Sequence, residues 1–174
     1  MELIKILTDK DIFGTDNFST VAKPKPRTRG ILLDSDGLIA LIYAKDFGYY
    51  TIPGGTIEEG EDNKGAFLRE MLEETGCQCK VLSELGYIIQ LEQNPAKQNR
   101  VYISFCFLAQ LVGEKGIPNW TESEKNQTLH IEWHTLECAI ELIRQTEPSD
   151  YDSRFTRERN LLILKTAYNY LQEK

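Results

Sequence analysis

The stretch GTIEEGEDNKGAFLREMLEETGC, from Gly55 to Cys77, decides how the rest of this 174-residue chain is read. Just before it, Pro53 and Gly54 halt a β-prone run and, with Gly55, suit a tight backbone course. Residues 62–75 then read as a helix, with Asp62 or Glu61 serving its N-terminal end and Gly76 as a natural stop. At about 100° per residue, Phe67, Leu68, Met71, Leu72 and Thr75 fall on one side, while Arg69, Glu70, Glu73 and Glu74 gather on the other. The first face is expected in the core and the second at a charged surface.

On that helix Glu70, Glu73 and Glu74 stand in an i, i+3, i+4 relation, so their carboxylates project from one patch and repel. The cost is about 0.2–0.5 kcal/mol per pair at a surface and rises in a cleft. A hard divalent cation would remove it. Oxygen donors without His or Cys select Mg²⁺ or Mn²⁺, ions that take further oxygens from substrate phosphates. The Gly54-Gly55 turn lets a backbone carbonyl approach such an ion. Arg69, four residues before Glu73, and Glu61 in the preceding loop can orient the carboxylates through charge-assisted bonds. A Glu-Glu pair beside an Arg is by itself an ordinary solvated helix face; here the whole spacing speaks for chemistry.

Gly55, Glu61, Arg69-Glu70-Met71, Glu73-Glu74, Gly76 and Cys77 fit the pattern G-x5-E-x7-R-E-U-x-E-E-x-G-U, in which U is aliphatic. The stretch thus resembles the Nudix box, departing from it only at Cys77, a packing position. The resemblance implies an α/β fold of the Nudix type, an α/β/α sandwich in which a mixed sheet is flanked by helices. It also implies hydrolysis of a nucleoside diphosphate linked to another moiety, with water as nucleophile. Glu70, Glu73 and Glu74 would be the metal ligands, assisted by the backbone at Gly54 and Gly55, and the cofactor Mg²⁺ or Mn²⁺. Members often recruit the base or a further ligand from a loop outside the box; Glu122 and Glu124 are the candidates here, with Glu114 behind them. Enzymes acting on damaged nucleoside triphosphates use the same box. The alternative to an enzyme is a catalytically silent Nudix-fold module that senses a nucleotide, and the intact acidic triad argues against it. Homodimers are common in the family.

Outward from the box, residues 30–34 and 38–44 form a hairpin about Asp34-Ser35-Asp36-Gly37, and residues 49–52 a short strand. Residues 78–92 and 100–112 read as adjacent antiparallel strands, 113–127 as a surface loop, 128–133 as a strand, and 136–145 and 152–172 as helices. Residues 2–8 form a strand and 9–28 a connecting arm, so the chain divides into an N-terminal strand and arm, 1–28, and a domain, 29–174, that includes the C-terminal helix.

With 20 Lys and Arg against 27 Asp and Glu, the net charge of -7 argues against stable nucleic-acid binding, which draws on cationic side chains displacing counterions. It does not exclude a small nucleotide reached through a metal ion. The longest apolar run, residues 38–44, is far short of a membrane span, and the protein is read as soluble and cytoplasmic. Cys77, Cys79, Cys106 and Cys138 lack paired metal spacing and are read as reduced thiols, and His130 and His134 as structural. For substrate contacts, Tyr49, Tyr50 and Trp120 could stack on a base or sugar, though packing is the commoner use of such residues. Lys23, Lys25, Arg27 and Arg29 could meet the substrate's phosphates or a partner, or lie on a solvated arm. Arg154, Arg157 and Arg159 invite the same reading, though Asp150, Asp152 and Glu158 nearby make surface ion pairs the commoner use.

Overall fold

A computed structural model describes residues 1–15, 22–94, 96–125 and 127–173, the side chains of 123 and 124 excepted. Strands β1 (Leu3–Thr8), β2 (Pro24–Leu33), β3 (Ile39–Ala44), β4 (Tyr49–Thr51), β5 (Cys79–Glu92), β6 (Arg100–Leu111) and β7 (Leu129–His134) join in one mixed sheet. Its order is β1-β5-β6-β2-β3-β4, with β7 on β3. β5 and β6 are antiparallel, as their sequence implies, and β6 and β2 are parallel along the whole of β2.

Helices α1 (Asp9–Phe13), α2 (Asn63–Thr75), α3 (Glu122–Lys125), α4 (Leu136–Gln145) and α5 (Tyr151–Gln172) complete the chain. α2 closes one sheet face over Leu32, Phe67, Met71, Phe107 and Ala109, with Phe67 stacked on Phe107 at 4.9 Å between ring centroids. The opposite face is covered by α4 and α5 through Ile31, Leu41, Ile88, Leu108, Ile143, Phe155 and Ile163. The result is the α/β/α sandwich expected from the sequence. Among the described residues no helix is long and apolar enough to cross a membrane.

The arm expected over 9–28 is more ordered than its composition suggests, although residues 16–21 lie outside those described. Asp11 Oδ2 accepts from the Thr8 amide and hydroxyl, each at 2.9 Å, and Gly14 closes the short α1 with φ 76°. β2 begins at Pro24 rather than near residue 29, because its prolines fall where the backbone N faces away from β6. On that same parity Thr28 and Gly30 donate to the Gly55 and Pro53 carbonyls, at 2.9 and 3.2 Å, and the Pro26 carbonyl accepts from Ile57 at 3.2 Å. A proline in this alternation removes no bond from the β2–β6 ladder. The segment 53–57 thereby occupies the free edge of β2, and β2 meets β3 only at Leu33 opposite Ile39. The loop expected over 113–127 also contains a helical turn, α3.

The helical periodicity needs a further correction. Leu72, expected in the core, is 49% exposed, and Glu70, expected on the charged face, is only 8% exposed. The buried positions of α2 are Ala66, Phe67, Glu70, Met71 and Thr75, an i, i+3, i+4, i+8 arc counted from Phe67. Burying Phe67 and Met71 stabilises by roughly 1.5–3 kcal/mol each. That outweighs carboxylate repulsion of about 0.2–0.5 kcal/mol per pair, so packing sets the helix rotation and carries Glu70 inward.

Candidate active site

The N-terminus of α2 is fixed by Asp62, whose Oδ1 accepts the Gly65 amide at 2.6 Å. One turn further on, Arg69 spends all its N–H donors on its surroundings. Nε and Nη2 hold the two oxygens of Glu61 at 2.8 and 3.0 Å. Nη1 reaches Glu70 at 3.0 Å and Glu73 at 2.9 Å, and Nη2 also bonds the Thr56 carbonyl at 3.0 Å. Arg69 therefore ties the loop before α2 to two carboxylates of the helix. Its hydrogen bonds, with the Glu58 amide, pull the Glu61 carboxyl down to about 2.

The glycine turn faces the same helix. The Gly54 amide, at φ 133°, donates to Glu74 Oε2 at 2.6 Å. At Gly55 a Cβ would overlap the Glu70 carboxylate, so the absent side chain makes room for an acid to lie against the backbone. Burial pushes the pKa of Glu70 up, and Glu73 adds to this, against the opposing charges of Arg69 and Arg29.

Glu70, Glu73 and Glu74 form one wall of an open cleft of about 750 Å³. Arg27 and Arg29, from β2, line it as well, and Asn119, Trp120 and Thr121 form its rim. The rim is docked through backbone: the Asn119 amide donates to the Glu73 carbonyl at 2.7 Å, and a Cβ on either Gly76 or Gly116 would strike the other strand of this contact. Asn119 was not singled out from sequence, since its place depends on this long-range docking. Arg69's bond to the Thr56 carbonyl was equally unreadable, because it depends on how the loop folds back.

The remaining candidates are dispersed. Tyr50 is stacked on Tyr43 at 4.6 Å, and its hydroxyl donates to Glu132 at 3.1 Å, outside the cleft. Glu132 also meets His134 at 3.0 Å, whose Nδ1 lies 3.7 Å from Cys138 Sγ. Glu122 is exposed and paired with Lys125 at 2.6 Å, Glu114 is exposed, and the side chain of Glu124 lies outside the described residues. Arg159, expected among surface ion pairs, is instead 2% exposed beneath α5.

The donor set suits a hard divalent cation in kind: three carboxylates, one of them buried against a backbone with no intervening Cβ. In the arrangement seen, these acids are engaged by Arg69 and the Gly54 amide. Among the described residues no three acidic, His or Cys side chains are grouped to hold an ion.

An α/β/α sandwich that presents a carboxylate helix to a glycine turn on the edge of its central sheet defines a Nudix-type protein. The NUDIX domain is matched over residues 23–155, and the chain belongs to this family. It is 29% identical over 93 residues to a "Putative 8-oxo-dGTP diphosphatase" of Bacillus subtilis (strain 168), covering 53% of this chain and 58% of that protein. It is also 29% identical over 99 residues to the mouse (Mus musculus) "Diphosphoinositol polyphosphate phosphohydrolase 3-alpha", covering 57% of this chain and 55% of that one. The chain thus spans a little over half the length of these curated relatives. Among solved structures, a NUDIX hydrolase from Nitrosomonas europaea superposes with a TM-score of 0.60 at 18% identity, over 87% of this chain and 91% of that one. A UDP-X diphosphatase gives 0.57 at 22% identity, over 87% and 66%. At these identities the likeness is one of fold.

Proposed function

We infer that the protein hydrolyses a phosphoanhydride bond in a nucleoside diphosphate derivative: a nucleotide sugar, an ADP-ribose-like compound or a nucleoside triphosphate. The observation that carries this reading is the convergence of Glu70, Glu73 and Glu74 on the Gly54-Gly55 turn inside one cleft. Those carboxylates and the Gly55 carbonyl would hold Mg²⁺ or Mn²⁺. Such an ion supplies neutralisation of the diphosphate and a more acidic water. Arg69 keeps Glu61, Glu70 and Glu73 in fixed orientation, so little reorganisation is left for the reaction itself. The Gly54 amide steadies Glu74. Trp120 offers a ring at the rim for a base or sugar, and Arg29 a charge for the phosphates. For the general base we keep Glu124, since Glu122 spends its charge on Lys125. The site of action would be the cytoplasm, and the partner a small nucleotide.

The test is phosphate release, after a coupling phosphatase, from nucleoside triphosphates, ADP-ribose, NADH, dinucleoside polyphosphates and nucleotide sugars, with Mg²⁺ and with EDTA. The names of the relatives add 8-oxo-dGTP and diphosphoinositol polyphosphates to the panel. Metal-dependent release supports the hydrolase. Silence across the panel at high protein concentration favours the nucleotide-sensing module.

A further inference from the structure

Opposite the acidic helix the cleft is lined by two arginines of β2, and a third arginine is buried on α5. Arg27 and Arg29 line the cleft from β2, and Arg159 comes from α5, beyond the stretch matched to the NUDIX domain. Arg27 lies 3.8 Å over the Tyr102 ring. Arg29 Nη1 donates to the Thr28 carbonyl at 3.2 Å, while its Nε is buried without a partner. Arg159 gives Nε and Nη2 to the neutral Asn160 side chain, at 3.2 and 3.0 Å, and Asn160 is anchored in turn by Thr51 at 2.9 Å. Burial, and then the charges of Arg29 and Arg27, push the Arg159 guanidinium well below its ordinary pKa, against the opposing charge of Glu92.

Among the described residues none of these arginines makes an ion pair. The nearby acids are paired elsewhere: Glu92 with Arg100 at 2.7 Å, Asp152 with Lys97 at 2.7 Å and with Arg100, although the charge of Glu92 also reaches Arg27 and Arg159. Glu74 and Glu70 ease the charge of Arg29 from across the cleft, but they are the acids a metal ion would occupy. On the same sheet face, Ser104 Oγ, paired in register with Arg27, and Gln90 Oε1 are also buried without partners. Removing a charged group from water costs several kcal/mol unless another charge compensates it. In a chain of net charge -7, three guanidiniums with no carboxylate at ion-pair distance are only partly compensated by the fold.

We propose that Arg27 and Arg29, backed by Arg159, form a seat for a phosphate-class anion, which selects substrates carrying phosphate beyond the anhydride that is cut. Arg27 and Arg29 contact the anion. Arg159, buried on α5 and not itself lining the cleft, acts through them as a positioning residue by adding positive charge behind them. The choice of substrate rests on the hydrolase reading above; the anion seat does not.

The experiment therefore begins without turnover. Inorganic tripolyphosphate is titrated into the full chain in EDTA by calorimetry, with thermal melts in parallel. The wild type is expected to bind and to melt higher as tripolyphosphate rises. Arg27→Met and Arg159→Met should each bind at least ~10-fold more weakly, and Arg159→Lys should recover most of the affinity. Without the anion Arg159→Met should melt no lower than wild type, because it relieves a buried like charge; a purely structural arginine would give the reverse. If Arg159→Met does not fold, Arg27→Met and Arg159→Lys decide. The second arm compares kcat/KM for diadenosine tetraphosphate and diadenosine diphosphate with Mg²⁺. The tetraphosphate should be preferred by roughly 10-fold, and Arg27→Met should erase that preference through KM rather than kcat. No binding by the wild type, or equal binding by the arginine variants, overturns the anion seat whatever the turnover. Equal kcat/KM for the two substrates overturns its part in selection. Binding lost in the variants, with no turnover of any substrate, upholds the seat and removes the hydrolase reading.

Discussion

The two charged walls of the cleft are built on opposite principles. On the acidic wall Glu70 and Glu73 are held by Arg69 and Glu74 by a backbone amide, so its charges are already partnered. Behind the basic wall Arg159 hydrogen-bonds only a neutral amide, and in the wall Arg29 leaves a buried donor unspent. The acidic wall is preorganised and the basic wall only partly compensated. A site built so keeps its carboxylates in place without a ligand, and gains stability on the basic side when an anion arrives.

The largest effect is expected where the acidic wall is disarmed. Glu73→Gln or Glu74→Gln should lower metal-dependent turnover by roughly 100-fold or more with an unchanged melting curve, and undiminished turnover would remove these residues from the site. Arg69→Lys keeps the charge but cannot bond Glu61 in two places while also reaching Glu70 and Glu73. A loss of roughly 10- to 100-fold in kcat/KM is expected, and wild-type kinetics would show that the clamp is dispensable. Gly55→Ala drives a methyl group into the Glu70 carboxylate. It should cost about 1–3 kcal/mol in urea unfolding and reduce activity as well, so loss of only one of the two would separate packing from chemistry.

The smallest effect concerns Asp152, which belongs to the compensated end of the basic face. Burial raises its pKa, but hydrogen bonds from Arg100 and Lys97 outweigh this and hold it at about 2. A carboxyl depressed on folding stabilises the native state above its unfolded value and loses that contribution as pH falls through its folded one. The stability difference between wild type and Asp152→Asn should therefore be constant above about pH 4. It should shrink as the pH approaches 2 in acid titrations followed by circular dichroism. A gap that persists at the lowest pH would assign the role of Asp152 to shape rather than charge.

The contrast also explains what sequence could disclose. The acidic wall is local: Glu61, Arg69, Glu70, Glu73 and Glu74 lie within one loop and one helix, so spacing alone relates them. α4 and the antiparallel β5–β6 pair were legible for the same reason, as continuous periodic segments. The basic wall joins β2 to a residue of α5 more than a hundred positions away, and no local pattern encodes that meeting. Arg159 looks like any exposed helical arginine until packing buries it. The inward turn of Glu70 was missed because periodicity ranks residues by polarity, whereas the helix is oriented by Phe67 and Met71. The start of α1 could have been found: Thr8 followed three residues later by Asp11, with Gly14 beyond, is a capping signature.

The rim of the cleft meets α2 where Gly116 rests on Gly76 and the Asn119 amide reaches the Glu73 carbonyl. Its contact with α2 is made by main chain, while Lys115 nearby pairs with Asp34 at 2.6 Å and lies 4.0 Å over the Trp133 ring. The closeness of that contact is set by the two glycines, at neither of which a Cβ would fit. A ring such as that of Trp120 can be exchanged without touching the contact between Gly76 and Gly116. A change at Gly76 or Gly116, by contrast, would move the whole rim at once.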